Sequence, residues 1–124
     1  MKVSATLATL LDAPDLQIRL IVPPADVAAL DAAVTWVHSS DLPDPTPWLE
    51  PGQVLLTTGA QFLTPDCAAD DYVSRLVAAG VLALGFSTGV LHSRIPEPVR
   101  EACAGQGLVL LEVADRTPFI SIVR

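Results

Sequence analysis

Short polar side chains stand together at the predicted end of one strand. His38, Ser39, Ser40 and Asp41 follow a run of residues that alternates as a strand does. In α/β sheets, small molecules bind outside the carboxyl ends of the strands. Imidazole, hydroxyl and carboxylate groups can orient a purine-like or carboxylate metabolite in an apolar cavity. This stretch therefore predicts a site for a small-molecule ligand.

Further groups that could complete this site follow a second predicted strand. Thr57, Thr58 and Gly59 come directly after an apolar run, and Trp36 or Trp48 could supply a stacking face. The alternative is that the polar residues only cap turns and satisfy loop backbone groups, which short polar side chains do routinely. The predicted ligand-binding residues are His38, Ser40, Asp41, Trp48, Thr57, Thr58 and Gly59.

The same residues do not form a recognisable catalytic centre. His38, Ser39 and Asp41 are near neighbours in sequence, so their side chains diverge, whereas a catalytic triad must converge in space. The loops at 57–59 and 86–89 lack the lysine of a phosphate-binding loop and do not match GxGxxG. We therefore expect no enzymatic activity and no nucleotide cofactor.

A metal site is not expected either. His92 has no HxxxH or HExxH companion, and Cys67 and Cys103 have no CxxC or Cys/His partner pattern. The two cysteines are best interpreted as small apolar residues of the interior.

The composition is that of an acidic chain with enough hydrophobic residues to form one core. Its 124 residues are 51% hydrophobic and 17% charged, which predicts one folded domain and excludes a disordered chain. The net charge of −7, with scattered Lys and Arg, disfavours direct binding to DNA or to anionic membranes. No apolar run approaches the ~20 residues that span a bilayer, and no signal peptide is evident. We therefore expect a cytoplasmic location.

The elements that position these residues follow from periodicity and from turn residues. Gly80 and Gly107 end predicted helices. The region 25–33 is ambiguous, and 41–51 is a predicted loop with one helical turn at 47–49. Predicted helices span 4–11, 66–79, 96–106 and 118–124, and predicted strands span 17–22, 34–38, 53–57, 81–86 and 108–113.

The β-α-β-α-β order over 53–113 requires crossover connections between parallel strands. It predicts an α/β fold with a single-layered mixed, largely parallel sheet flanked by helices.

One long string is specific for a known family. It reads VTWVHSSDLPDP at 34–45, WL at 48–49 and GQVLLTTG at 52–59. This string resembles the N-terminal regulatory domain of PucR-like (purine catabolism regulator) bacterial transcription factors. LVAAGV at 76–81, IP at 95–96 and GLVLLEV at 107–113 fit the same family, so the resemblance covers essentially the whole chain. Asp41, where the family more often has glutamate, and Glu50-Pro51 depart from its pattern.

The resemblance implies an effector-sensing domain of a regulator of purine or other nitrogen catabolism. Residues 1–124 would form one such domain, a fragment of a longer protein whose C-terminal helix-turn-helix domain contacts DNA. The expected partners are a small-molecule effector and a second copy in a homodimer. In fold, the pattern also resembles the N-terminal domains of Mur ligases.

The alternative function is a dimerisation or docking module without a small ligand. An apolar patch around Trp48 and Phe62 would favour it.

Overall fold

The computed structural model describes residues 5–12 and 17–114 of the chain. Short 3-10 turns at Val27–Asp31, Thr46–Trp48 and Ala60–Leu63 connect its regular elements. These elements are, in chain order, β1 (Ala5–Thr6), α1 (Leu7–Asp12), β2 (Ile18–Val22), β3 (Ala33–Val34), β4 (Trp36–Ser39), β5 (Gln53–Thr57), α2 (Ala69–Ala78), β6 (Ala83–Thr88), α3 (Glu97–Gln106) and β7 (Val109–Ala114).

Five of the strands form the main sheet in the order β2-β7-β6-β5-β4. The strands β4, β5, β6 and β7 run parallel, and β2 lies antiparallel to β7. The predicted α/β fold with a mixed, largely parallel sheet flanked by helices is therefore confirmed. The resemblance to Mur ligase N-terminal domains stays a prediction.

Apolar side chains cover both faces of this sheet. One face packs against α2 and α3, where Leu55 and Phe86 lie in one core cluster with Tyr72 and Leu76. The opposite face, which includes Val54, packs against α1 in a second cluster. All residues of β5 and β6 are buried, which is the expected result for apolar strands in the middle of a parallel sheet.

The predicted strand 34–38 is wrong as a single element. It breaks at Thr35, whose N–H donates to the Gly52 carbonyl (2.9 Å) and whose hydroxyl donates to the Pro51 carbonyl (3.2 Å). Before the break, β3 pairs antiparallel with β1, and after it, β4 joins the main sheet beside β5. Val34 and Val37 therefore lie in the same buried cluster, and Val34 does not share a face with Trp36 and His38.

Two other boundaries are corrected by the structure. Ser87 and Thr88 belong to β6, where they pair with β7, so the predicted loop begins only at Gly89. The helix α2 begins at Ala69 and not at the predicted residue 66, and no side chain of the described residues caps its first turn. The remaining predicted helices and strands among the described residues are confirmed, with ends shifted by up to three residues, but residues 5 and 6 of the predicted helix 4–11 form β1 instead.

The ambiguous region 25–33 contains a 3-10 turn, capped by the Asp26 carboxylate, which accepts a hydrogen bond from Ala28 N–H (3.0 Å). The predicted helix at 118–124 lies outside the described residues. Within the described ranges, no helix is long and apolar enough to cross a membrane.

Candidate functional site

The structure divides the predicted site residues into two groups. Ser40, Asp41 and the segment 57–59 lie at the carboxyl ends of β4 and β5. His38 and Trp48 line a separate groove beside the first residues of the same strands. The predicted site residues therefore do not lie together in one cavity.

The Asp41 carboxylate binds the loop that follows β5. Its Oδ1 accepts hydrogen bonds from the Thr57 hydroxyl and from Thr58 N–H, both 2.8 Å long. Its Oδ2 accepts a third, from the Thr58 hydroxyl, also at 2.8 Å. Ser40 acts in the same way, because its Oγ accepts from Leu42 N–H (3.2 Å). These bonds are those of turn capping, and a ligand role for these residues stays a prediction.

Gly59 completes this capped loop in a left-handed conformation. Its φ is +82°, and its N–H donates to the Thr57 hydroxyl oxygen (3.1 Å). Its carbonyl accepts from His92 Nε2 at 2.9 Å, which fixes the proton of that imidazole on Nε2. The His92 ring also meets Phe86 edge-on, with 5.5 Å between centroids. His92 therefore holds this loop in place.

Two buried polar groups lie beneath the capped loop. The Gln61 side chain, whose Oε1 lies 3.2 Å from the Thr57 hydroxyl, is 4% exposed, and Tyr72 is fully buried. Burial is the main cause that raises the pKa of Tyr72 above its ordinary value, and the nearby Gln61 side chain partly offsets this rise. Gln61 Nε2 and the Tyr72 hydroxyl nevertheless form no hydrogen bond of good geometry with the described residues.

The groove beside β4 has a volume of about 380 Å³, which is within the range of small-molecule sites. Trp36 and His38 are two residues apart in β4 and so project from one face. Parallel pairing sets Gln53 opposite Trp36, and the 3-10 turn at 46–48 brings Trp48 to the same groove. Its lining residues are Thr35, Trp36, His38, Trp48, Glu50 and Gln53.

The groove presents aromatic surface and hydrogen-bond acceptors. Trp36 is 43% exposed and Trp48 is 62% exposed, and neither indole pairs with another ring of the described residues. Gln53 is 6% exposed, and its Oε1 has no hydrogen-bond partner there. Two unpartnered aromatic faces in one groove can hold a ligand that stacks on them.

Sequence reasoning missed three residues of this groove. Thr35 and Gln53 enter it through the pairing of β4 with β5, which no local pattern contains. Glu50 could have been singled out from the sequence, because Glu50-Pro51 departs from the family pattern that the chain resembles. Trp36 was expected only as one of two stacking faces, and the structure brings both indoles to the groove.

Trp48 and Phe62, which would favour the docking module if they formed one apolar patch, do not form such a patch. Phe62 is half-buried and packs on the core, edge-on to Tyr72 at 5.0 Å and stacked near Phe86 at 6.2 Å between centroids. Trp48 alone of the two is well exposed.

A second depression of about 410 Å³ lies beside α2. Its one charged lining residue is Arg75, whose Nη1 donates to the Pro43 carbonyl (3.1 Å). Its other lining residues are Thr46, Leu49, Ala78 and Ala79, which offer few polar groups to a ligand. The groove with the two tryptophans is therefore the stronger candidate.

Comparisons with known proteins agree with the sequence pattern. A family model described as the purine catabolism regulatory protein-like family, PucR, matches residues 9–124. The transcriptional activator PmfR of Paenarthrobacter nicotinovorans is 33% identical over 92 residues, which cover 73% of this chain and 17% of that protein. The chain thus spans less than a fifth of the length of this curated relative. No solved structure matches significantly.

Proposed function

The chain belongs to the purine catabolism regulatory protein-like family, and from this premise we propose that it is the effector-sensing domain of a bacterial transcription regulator. Residues 1–124 form one regulatory domain of a longer protein that controls purine or other nitrogen catabolism. DNA contact is made by a helix-turn-helix domain elsewhere in that protein. The similarity to a transcriptional activator supports this proposal, and so does the net charge of −7, which suits a domain that does not itself hold DNA.

The groove beside β4 is the observation on which the sensing role depends. It combines two exposed indoles with His38 and the buried Gln53 amide. Large aromatic side chains are normally buried against other groups, and exposed apolar surface that is concentrated in a groove marks a binding site. Two exposed indoles on one concave surface therefore support a ligand-binding role. In this proposal His38 and Trp48 contact the effector, and Ser40, Asp41 and the 57–59 loop hold the adjoining strand ends.

A regulatory role accounts for the chemistry of the described residues better than catalysis does. Asp41 carries the carboxylate of the predicted cluster, the group that could serve as a general acid or base. This carboxylate instead accepts three hydrogen bonds from Thr57 and Thr58. The His92 imidazole is likewise bound to the Gly59 carbonyl. As part of a transcription regulator, the domain acts in the cytoplasm.

The fluorescence of the chain gives a direct test of this site. Trp36 and Trp48 are the two tryptophans of the sequence, and both line the groove, so tryptophan emission reports on the groove alone. A thermal-shift screen of purines, ureides, amino acids and related nitrogen metabolites should find a stabilising ligand. A ligand at ~100 times its dissociation constant adds about 2.7 kcal/mol to the stability of the domain.

The screen is repeated with two variants. Trp48→Ala should abolish the shift, whereas Leu63→Ala, an exposed apolar residue that does not line the groove, should retain it. A ligand that stabilises the folded domain equally in Trp48→Ala and in the parent chain binds elsewhere, and the groove is then not the effector site.

A second function, association with another protein, is favoured by the same exposed indoles. Tryptophan side chains often anchor protein interfaces. A homodimer formed through this surface would show a concentration-dependent mass in sedimentation or light scattering, and Trp48→Ser would return it to the monomer. A monomer at all concentrations, together with a saturable ligand, selects the sensing function.

A further inference from the structure

We propose that the groove beside β4 selects a positively charged ligand with N–H donors, carrying an ammonium, guanidinium or amidinium group. This inference rests on the proposed function, because it treats the groove as the effector site, and it adds the charge and the donor pattern of the effector. It also narrows the ligand classes, since the sequence alone left purine-like and carboxylate metabolites open.

Among its described lining residues, the groove has one carboxylate, that of Glu50. Glu50 is an exposed carboxylate that forms no ion pair with the described residues. The Gln53 Oε1 acceptor is buried without a partner. The Thr35 hydroxyl already donates to the Pro51 carbonyl, and the other neutral donors of the groove include the two indole N–H groups and the Gln53 amide. A ligand that donates hydrogen bonds therefore meets the free Glu50 carboxylate, and a positively charged donor gains more from a carboxylate than a neutral donor does.

The two indoles add to the preference for positive charge. The face of an aromatic ring is negative, and tryptophan attracts ammonium and guanidinium groups more strongly than the other aromatic residues do. Trp36 and Trp48 have no ring partner among the described residues, so their faces are available. A neutral ring could stack here too, but it would gain nothing from the Glu50 charge.

No lysine or arginine of the described residues lines this groove, and its one imidazole is that of His38. Arg19 pairs with Glu112 and Arg100 pairs with Glu97, both away from the groove. The Arg75 guanidinium is bound to the Pro43 carbonyl and lines the other depression. The net charge of −7 further raises the local concentration of cations and lowers that of anions.

Three matched probes separate charge from shape. Benzamidine, benzamide and benzoate share one ring and a planar head group, and they carry charges of +1, 0 and −1. Each is titrated into the protein while tryptophan emission is recorded, and calorimetry measures the affinity independently. We expect a saturable response to benzamidine, an affinity for benzamide on the order of tenfold weaker, and no response to benzoate.

Two variants with the same change in net charge locate the effect. Glu50→Gln should weaken benzamidine binding to the level of benzamide and leave benzamide binding unchanged. Glu101→Gln, at an exposed position of α3, should bind benzamidine as the parent chain does.

The outcomes separate the two proposals. Equal binding of benzamide and benzamidine, or a neutral or anionic metabolite that saturates the groove while benzamidine does not bind, overturns the charge selection and leaves the effector site in place. If no compound of any charge changes the tryptophan emission or the thermal stability of the folded protein, the charge selection and the sensing function are both wrong.

Discussion

Asp41 and Thr58 are joined by two hydrogen bonds of 2.8 Å, one from the Thr58 N–H to Oδ1 and one from its hydroxyl to Oδ2. This pair fastens the second residue after β4 to the first residue after β5. Both strands end at one edge of a parallel sheet, where backbone groups lose their ladder partners. The carboxylate supplies an acceptor for one of these backbone groups, the Thr58 N–H, so Asp41 links the ends of the two strands through a residue 17 positions away in sequence.

The first prediction concerns this link. Asp41→Ala removes three acceptor contacts, and we expect the free energy of unfolding to fall by about 1–3 kcal/mol in urea titrations. Asp41→Asn should lose less, because an amide oxygen can still accept from Thr58 N–H. Asp66→Ala is the control, since Asp66 is exposed and makes no hydrogen bond with the described residues. Equal stabilities of Asp41→Ala and Asp66→Ala would show that the carboxylate does not fasten the strands.

The second prediction concerns Gly59. Any side chain there must adopt φ near +82°, and a Cβ would lie 2.3 Å from Phe86 Cζ and 2.8 Å from His92 Cδ2. We expect Gly59→Ala to destabilise the fold by roughly 2–5 kcal/mol, through left-handed strain and overpacking. Thermal or urea unfolding measures the loss.

Gly105→Ala is a matched control for Gly59→Ala. Gly105 lies in α3, and a Cβ there meets no atom within 4 Å. This substitution should raise stability by about 0.5–1 kcal/mol, because glycine is unfavourable inside a helix. If both substitutions change stability in the same direction, the close approach at Gly59 is not what the structure describes.

Local sequence patterns predicted most elements of the fold but could not predict the break in the third strand. The strand β5 was predicted with its exact bounds, because a turn at 51–52 precedes its apolar run and Thr58-Gly59 follows it. The break at Thr35 depends on hydrogen bonds to Pro51 and Gly52, which are distant in sequence. A pattern of alternation contains no information on such a partner.

The site was predicted in part for the same reason. The polar residues after β4 and β5 were found because their types are typical of strand ends, and the structure brings Asp41 to Thr57 and Thr58. The groove depends on which strands are neighbours, since Gln53 reaches Trp36 only through parallel pairing. The choice between capping and ligand binding depends on hydrogen bonds, which become visible only in the folded chain.

The third prediction concerns the buried Tyr72 hydroxyl, which has no partner among the described residues. An unsatisfied buried hydroxyl costs stability, so Tyr72→Phe should unfold at a higher urea concentration than the parent chain, with a gain of about 1 kcal/mol. Thr57→Val is the contrasting variant, because the Thr57 hydroxyl donates to Asp41 and accepts from Gly59 N–H. It should lose about 1–2 kcal/mol. A clear loss in Tyr72→Phe would mean that the phenol has a partner in solution.

The last prediction concerns alkaline pH. Burial raises the pKa of the Cys103 thiol from 9.0 to about 12, and burial also raises the pKa of Tyr72. Above pH 9 the folded state keeps these protons while the unfolded chain releases them. The contribution of the two groups to the free energy of unfolding is therefore fully present below pH 9 and is lost as the pH rises from about 9 towards 12. For Cys103 alone, the slope reaches about 1.4 kcal/mol per pH unit. Urea titrations between pH 7 and pH 11 measure this slope.

Cys103→Ala is expected to be less stable at every pH, because it leaves a cavity, but its decline above pH 9 should be shallower than that of the parent chain. Cys67 is only half-buried, so Cys67→Ala should retain most of the parent slope. Parallel declines in Cys103→Ala and the parent chain would show that the buried thiol does not contribute to the loss.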